Sequence, residues 1–95
     1  MKVKVLQTQR FAKVYKKLHK NQLPEVNEGI KSVIADPYIG QQKLGNLSFL
    51  RVHKFKVLDK QMLLGYVYED KKLILTLADL GFHENFYRDI KRVFD

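Results

Sequence analysis

The sequence of 95 residues has no cysteine, which excludes disulfide bonds, thiolate zinc sites and cysteine nucleophiles. It has no run that approaches the ~20 consecutive apolar residues of a membrane span. Its lysine-bearing N-terminal stretch lacks the apolar core of a signal peptide. We therefore expect a soluble, cytoplasmic protein that does not span a membrane.

Acidic residues are also scarce, because ten Asp and Glu stand against eighteen Lys and Arg, for a formal charge of +8. The first twenty residues hold seven Lys or Arg and no acid. The positive potential of such a basic surface favours the binding of a polyanion. That binding would weaken as the salt concentration rises. Nucleic acid, an anionic membrane surface and an acidic protein all remain open, as does a basic face that is merely solvated.

The chain is long enough for one domain over residues 1–95 with one modest core, which buries about 60–65 % of the unfolded surface at this size. A large enclosed pocket is not expected. The sequence shows no internal repeat, linker or low-complexity tract.

The first half of the chain reads as a strand followed by a helical hairpin. Residues 2–6 alternate lysine with apolar residues, as a strand with one buried face does. Thr8 is a suitable cap for a first helix, and Pro24 suits the first turn of a second. The second helix should end at Asp36, since Pro37 disfavours helical conformation in the residue before it.

The second half reads as a loop and three strands. Residues 38–48 contain glycines and show no periodic pattern of apolar residues. Strand character is found in residues 49–58, 61–69 and 72–77. The separations are short enough for hairpins. The prediction is an α+β fold of order β-α-α-β-β-β-α, in which a helical hairpin packs on a small twisted, mainly antiparallel sheet and a short C-terminal helix follows.

The strand over residues 49–58 is unusually basic. Arg51 and His53 should project to one side, and Lys54 and Lys56 to the other. Because an unpaired buried cation is costly, this strand cannot lie wholly in a core. At least one of its ends should emerge into a basic concavity.

The end of the chain places His83 and Tyr87 four residues apart. This spacing is about one helical turn, so the two side chains can share a helix face. Phe86, between them, is better explained as a core aromatic that pins the last helix. His19, beside Lys20 near a helix end, reads as a solvated or capping residue.

The element order, the basic strand and the ending with its Gly-x-His-x-x-x-Tyr pattern (residues 81–87) resemble the RelE/ParE superfamily of toxins from bacterial type II toxin-antitoxin modules. The resemblance implies a RelE-like microbial RNase fold. It also implies a metal-independent endoribonuclease without a cofactor, which enters the ribosomal decoding site, contacts 16S rRNA and cuts the mRNA there. A cognate antitoxin protein would neutralise it.

The same resemblance implies the site residues. Arg51 and His53 match an alternating basic pair on the second strand, His83 matches the Arg or His after the fourth strand, and Tyr87 matches the aromatic that follows. The predicted catalytic residues are therefore His53, His83, Arg51 and Tyr87. The predicted substrate-binding residues are Lys54, Lys56, Arg88 and Lys91.

The residue types suit RNA cleavage without a metal. The reaction needs a base for the ribose 2′-OH, a cation on the scissile phosphate and an acid for the departing 5′-oxygen. Histidine suits the first and third tasks, and Arg or Lys the second. Which of His53 and His83 is the base stays open, and either could instead be a structural residue.

One departure keeps other functions open. Many RelE-like toxins carry an arginine on the third strand shortly before a tyrosine, whereas residues 62–65 here are apolar or glycine before Tyr66. A ParE-like inhibitor of DNA gyrase and an RNA-binding domain without cleavage therefore remain alternatives. A metal enzyme is disfavoured because the histidines and carboxylates show no recognisable ligand spacing.

Overall fold

The computed structural model describes residues 2–82 and Phe86. The chain order is β1 (Lys4–Gln7), α1 (Gln9–Lys16), α2 (Leu23–Ala35), β2 (Gln41–Gln42), a 3₁₀ turn (Gly45–Leu47), β3 (Arg51–Val57), β4 (Lys60–Glu69) and β5 (Ile74–Phe82). The strands form one sheet in the order β1-β5-β4-β3-β2. Only the β1–β5 pair is parallel among the strand pairs of the described chain. The α+β, mainly antiparallel fold is confirmed, and the predicted C-terminal helix falls outside the described residues except at Phe86.

Thr8 joins the first strand to the first helix. Its hydroxyl accepts a hydrogen bond from the Phe11 amide at 3.1 Å, which caps α1 as predicted. The same hydroxyl donates to the carbonyl of Ala78 at 2.6 Å. The cap therefore also ties α1 to β5, and the buried Phe11 side chain packs in the core below.

The two helices form the predicted hairpin. Pro24 lies in the first turn of α2, and Asp36 is its C-cap before Pro37. The Tyr15 hydroxyl donates to the side chain of Asn27 at 2.7 Å, which links α1 to α2. Since this bond crosses the turn, it fixes the helices relative to each other.

The sheet has a hydrophobic cluster on each face. The first cluster contains the helical residues Phe11, Val26 and Val33 and packs them on the sheet residues Val57, Met62, Leu64, Tyr66, Leu75, Leu77 and Leu80. The second cluster lies on the opposite face and comprises Leu50, Val52, Leu63, Ala78 and Phe86. The face opposite the helices is therefore partly covered, and Phe86 has the core role predicted for it.

The last strand is longer than the sequence predicts. The prediction ended it at Leu77, whereas β5 continues to Phe82. A β-bulge explains the difference: Leu77 pairs with Tyr66 and Asp79 with Gly65, so that Ala78 is an extra residue. The bulge resets the alternation of side chains, and the strand then continues along the buried part of β4.

Asp79 follows this bulge and is buried, with 1 % of its surface exposed. Its carboxylate accepts hydrogen bonds from the Leu80 amide at 2.8 Å and from Arg10 Nε at 3.3 Å. A buried carboxylate is tolerated only with such partners. The pair therefore connects α1 to the end of β5 beside the cap made by Thr8.

Candidate nucleic-acid interface

β3 carries the predicted basic residues on both faces of the sheet. Lys54 and Lys56 are exposed and alternate with the buried Val52, which places them on the face of the second cluster. Arg51 and His53 are half-buried and project to the helical face. The structure therefore brings the predicted residues together in pairs, one pair on each side of the strand.

The outer edge of β3 is open beyond Val52. β2 has only two residues and pairs with Arg51 and Val52. From His53 to Val57, no other strand of the described chain pairs with this edge. Lysines on an open edge disfavour pairing with another strand. The edge therefore presents two rows of side chains to a ligand that runs along it.

His53 lies in a groove between α2 and β3. Its ring is nearly parallel to that of Phe55, with 5.4 Å between the centroids and 23° between the planes. Partial burial removes water from the imidazole and so lowers the pKa of His53 below its ordinary value of 6.5. The ring is therefore neutral at pH 7 and has a nitrogen that can accept a proton.

The groove itself has a volume of about 330 Å³ and is lined by Pro24, Glu25, Glu28, Gly29, Ser32, His53, Phe55 and Lys56. Gly29 allows the close approach of α2 to β3, because a Cβ there would lie 2.7 Å from the ring of Phe55. The Glu25 carboxylate accepts a hydrogen bond from the Leu58 amide at 3.0 Å. Both helix carboxylates line this groove, which Lys56 also borders.

Arg51 is engaged with the loop between α2 and β2. Its Nη1 donates to the carbonyl of Gly40 at 2.9 Å, and its guanidinium lies 5.0 Å from the centroid of the Tyr38 ring. Arg51 therefore supports this loop, and it is separated from Lys54 both by the sheet and by three residues of strand, about 10 Å.

Tyr66 anchors the same loop from below. Its hydroxyl donates to the carbonyl of Pro37 at 2.8 Å and accepts from the Gly40 amide at 2.9 Å. Burial raises the pKa of Tyr66, so the hydroxyl keeps its proton for the bond to Pro37. Gly40 is required for this contact, because a Cβ there would lie 2.6 Å from the hydroxyl oxygen.

A second cleft of about 320 Å³ opens where this loop meets β3 and β4. The sequence patterns did not predict this cleft. The signal was the presence of Tyr38 and Phe49 at the two ends of a glycine-containing loop that leads to Arg51. Both aromatic side chains are about half exposed, at 54 % and 45 %. The cleft also includes Gln42, Ser48, Val67, Tyr68, Glu69 and Asp70.

The remaining predicted residues lie outside the described part of the chain. They are His83, Tyr87, Arg88 and Lys91. Phe86, which is described, is 2 % exposed and packs with Leu50 and Val52. The face that holds Phe86 is therefore the face to which Lys54 and Lys56 project.

Within residues 2–82 and Phe86, no three His, Cys, Asp or Glu side chains are grouped so that they could hold a metal ion. No helix in this part of the chain is long and apolar enough to cross a membrane.

Comparison with known families explains the arrangement. A family profile described as the ParE-like toxin of type II bacterial toxin-antitoxin systems matches residues 5–91, which is nearly the whole chain. The chain belongs to this family. The superfamily predicted from the element order, the basic strand and the Gly-x-His-x-x-x-Tyr ending is confirmed, and the protein is a toxin of a type II toxin-antitoxin system.

Solved structures share the toxin's fold. RelE in the intact RelBE toxin-antitoxin complex of E. coli is 20 % identical with a TM-score of 0.68, over 85 % of this chain and 96 % of that chain. Isolated E. coli RelE is 20 % identical with a TM-score of 0.67, over 97 % and 99 %. The archaeal RelE-RelB complex from Pyrococcus horikoshii OT3 is 16 % identical with a TM-score of 0.59, over 86 % and 96 %. A comparison with curated proteins finds no match.

The burial of β4 explains why the toxin has no arginine shortly before Tyr66, where many RelE-like toxins carry one. Residues 62–66 are all buried, and Met62, Leu64 and Tyr66 belong to the first cluster. A cation at these three positions would point into that core. The basic residues near the face of Phe86 therefore come from β3 in the described part of the toxin.

Proposed function

We propose that the toxin binds a single strand of RNA across the open edge of β3 and cleaves it, and that its substrate is mRNA on the ribosome. The observation that carries the proposal is the pair of exposed lysines on an edge strand whose other face holds the half-buried His53. An extended RNA backbone needs cations in a row on one side and room to pass the strand. β3 offers both, because Lys54 and Lys56 are exposed and the edge beyond Val52 is unpaired.

Phosphate contacts are assigned to Lys54 and Lys56. Both lysines leave the strand on the face that holds Phe86, and the side chain of Lys56 also borders the groove of His53 at the strand edge. In the sequence, His83 and Tyr87 stand within three positions of Phe86, and we assign them to the same site. Arg88 and Lys91 extend the basic character of this segment. Arg51 is assigned no phosphate contact. Its guanidinium already contacts Gly40 and Tyr38 and so supports the loop.

Catalysis follows from the two histidines. His53 is neutral at pH 7, so it is the base that removes the proton from the ribose 2′-OH. The 2′-oxygen attacks the phosphorus, and the bond from phosphorus to the 5′-oxygen breaks. His83 donates a proton to that oxygen, and the products are a 2′,3′-cyclic phosphate and a 5′-hydroxyl. Tyr87 stacks on a base or bonds a phosphate. No metal or cofactor takes part.

For His53 and Lys54 to act on one nucleotide, the RNA must cross the strand edge. The phosphate then contacts Lys54 on one face while the ribose reaches His53 on the other. The crossing is required because successive side chains of β3 project to opposite faces of the sheet. It distinguishes this proposal from one in which the RNA contacts a single face.

The toxin's partners follow from the same function. A cognate antitoxin would bind the toxin, as RelB does with RelE in the E. coli and P. horikoshii complexes. The ribosome with its 16S rRNA would present the mRNA, which places the activity in the cytoplasm.

The decisive experiment adds purified toxin to programmed ribosomes in the presence of EDTA and maps the mRNA by primer extension. Cleavage opposite the A site is expected, together with its loss in His83→Ala and a large reduction in His53→Ala. Cleavage by His83→Ala at the wild-type rate would overturn the histidine mechanism. If His53→Ala has wild-type activity and His83→Ala is inactive, the RNA does not cross the strand edge to reach His53. The nuclease activity itself would still stand.

A second function is supported by the family description, which is that of ParE-like toxins. ParE-like inhibition of DNA gyrase would leave the mRNA intact and would abolish supercoiling by purified gyrase. Both assays should therefore be run on the same preparation. Growth arrest that persists in a His53→Ala, His83→Ala double variant, with supercoiling inhibited, would favour gyrase over RNA.

A further inference from the structure

We propose that the cleft between the α2–β2 loop and the sheet is a binding site for an unpaired RNA base that carries an amino group, such as cytosine. The inference rests on the proposed RNA-binding function and adds a recognition site to it. The cleft lies on the opposite end of β3 from Lys56, beyond the lysines that we assign to the phosphates. Its volume of about 320 Å³ is within the range of about 300–1,000 Å³ that is usual for ligand sites.

Two tyrosines give the cleft aromatic surfaces. The rings of Tyr38 and Tyr68 meet edge to face, with 5.4 Å between centroids and 86° between planes. Tyr38 is 54 % exposed, so part of its ring surface is open to a ligand. Phe49, 45 % exposed, lines the same cleft. Aromatic rings of this kind are the surfaces on which proteins stack unpaired bases.

The loop that presents Tyr38 is held in place before any ligand binds. Tyr66 and Arg51 together bond the carbonyls of Pro37 and Gly40 and the amide of Gly40. The Tyr38 amide also donates to the Asp36 carboxylate at 3.1 Å. A surface that is already ordered loses little entropy on binding, which favours affinity.

Charge selects the kind of base. Arg51 offers donors and a planar surface against the Tyr38 ring, whereas the Asp70 carboxylate, which also lines the cleft, accepts a hydrogen bond from the Tyr38 hydroxyl at 3.5 Å. Glu69 also lines the cleft, but its carboxylate pairs with Lys72 at 3.6 Å. A carboxylate accepts from the amino group of cytosine and repels the corresponding oxygen of uracil. The site should therefore prefer cytosine to uracil, which is a base of the same size.

Binding can be measured apart from cleavage. Short 2′-O-methyl oligocytidine and oligouridine strands have no free 2′-OH and are not substrates for the proposed reaction. Their affinities are measured by anisotropy of a labelled strand. Because the chain contains no tryptophan and five tyrosines, quenching of tyrosine fluorescence gives a second signal.

Stacking on an aromatic side chain contributes about 1–3 kcal/mol, so Tyr38→Ala should weaken oligocytidine binding about 5- to 150-fold. Tyr38→Phe should keep most of the affinity, since the ring remains. Leu44→Ala is the matched control: Leu44 is 90 % exposed, follows β2 in the same connection from α2 to β3, and does not line the cleft. Its affinity should equal that of the wild type.

Selectivity is tested with Asp70→Asn. The wild type should bind oligocytidine more tightly than oligouridine, and the ratio should fall towards one in the variant. The ratio is informative because loss of a negative charge raises affinity for both strands equally.

Three results would overturn the inference. If Tyr38→Ala binds oligocytidine as the wild type does while Lys54→Ala, Lys56→Ala does not, the base site is wrong and the RNA-binding face stands. If the wild type binds neither strand, the base site is wrong, and cleavage on programmed ribosomes then decides the proposed function separately. If an arginine-rich peptide quenches the tyrosines and RNA does not, the cleft serves a protein partner.

Discussion

The hydroxyl of Tyr66 accepts a hydrogen bond from the Gly40 amide at 2.9 Å, across 26 residues of sequence. This contact joins a fully buried side chain in the middle of the sheet to a loop at its end. It determines where the loop lies, and with it the positions of Tyr38 and the guanidinium of Arg51. Four predictions test this arrangement and the basic strand beside it.

Replacing Tyr66 by phenylalanine should destabilise the toxin by about 1–3 kcal/mol, because the carbonyl of Pro37 and the amide of Gly40 lose their partner. Urea unfolding followed by circular dichroism measures the effect. Tyr68→Phe is the control, since the described contacts of Tyr68 are made by its ring. That variant should stay within about 0.5 kcal/mol of the wild type. Equal stability of both variants would show that the Tyr66 hydroxyl is not needed.

Gly40→Ala should destabilise the toxin by about 1–3 kcal/mol through overpacking. The added Cβ would lie 2.6 Å from the Tyr66 hydroxyl, so either the loop or the ring must move. Gly81→Ala is the comparison, because its Cβ would meet Phe86 at an ordinary distance of 3.9 Å. Thermal unfolding should therefore separate the two alanine variants. A Tm for Gly40→Ala at or above that of Gly81→Ala would contradict the contact.

His53 should make the toxin less stable as the pH falls. Burial lowers the pKa of His53 in the folded state, so the unfolded chain binds a proton first as pH drops below about 6.5. Stability therefore rises with pH through the window below ~6.5 and becomes level above it. His53→Gln should reduce this slope, as measured by urea unfolding from about pH 5 to 8. The exposed His19, changed to Gln, is the control.

The two lysines of β3 should set part of the salt dependence of RNA binding. Each phosphate contact contributes a slope of about 0.7 in the plot of log affinity against log salt for single strands, so Lys54→Ala, Lys56→Ala should lower the slope by about 1.4. As a control, Lys31→Ala removes one positive charge from the exposed face of α2, near Glu28, and should leave the slope unchanged. An unchanged slope in the double variant would place the RNA elsewhere.

The elements of this fold were largely predictable because their signals are local. The cap by Thr8, the end of α2 at Asp36 and the strands on either side of the short turns all follow from residues within a few positions of each other. The family resemblance rested on the element order, the basic strand and a short ending whose pattern is contiguous in sequence. The family profile that matches residues 5–91 confirms the superfamily.

The errors came from long-range contacts. β5 continues past Leu77 because its residues pair with β4 through a bulge at Ala78, and no local pattern announces a bulge in an apolar run. The loop after α2 was predicted to have no structure of its own. It contains β2, since it pairs with Arg51 and Val52, and it is held by Tyr66. The second cleft was missed for the same reason.

The sequence alone determined the charge, the order of the elements, the basic character of β3 and the alternation of its side chains, because these depend on composition and on the two-residue period of a strand. Only the tertiary structure decided which parts of the chain pack beside each of the two rows of β3 side chains. Phe86 packs on the face of Lys54, and α2 lies over His53. The physical reason is that a face acquires its neighbours from residues distant in sequence, whose packing in two cores no local pattern encodes.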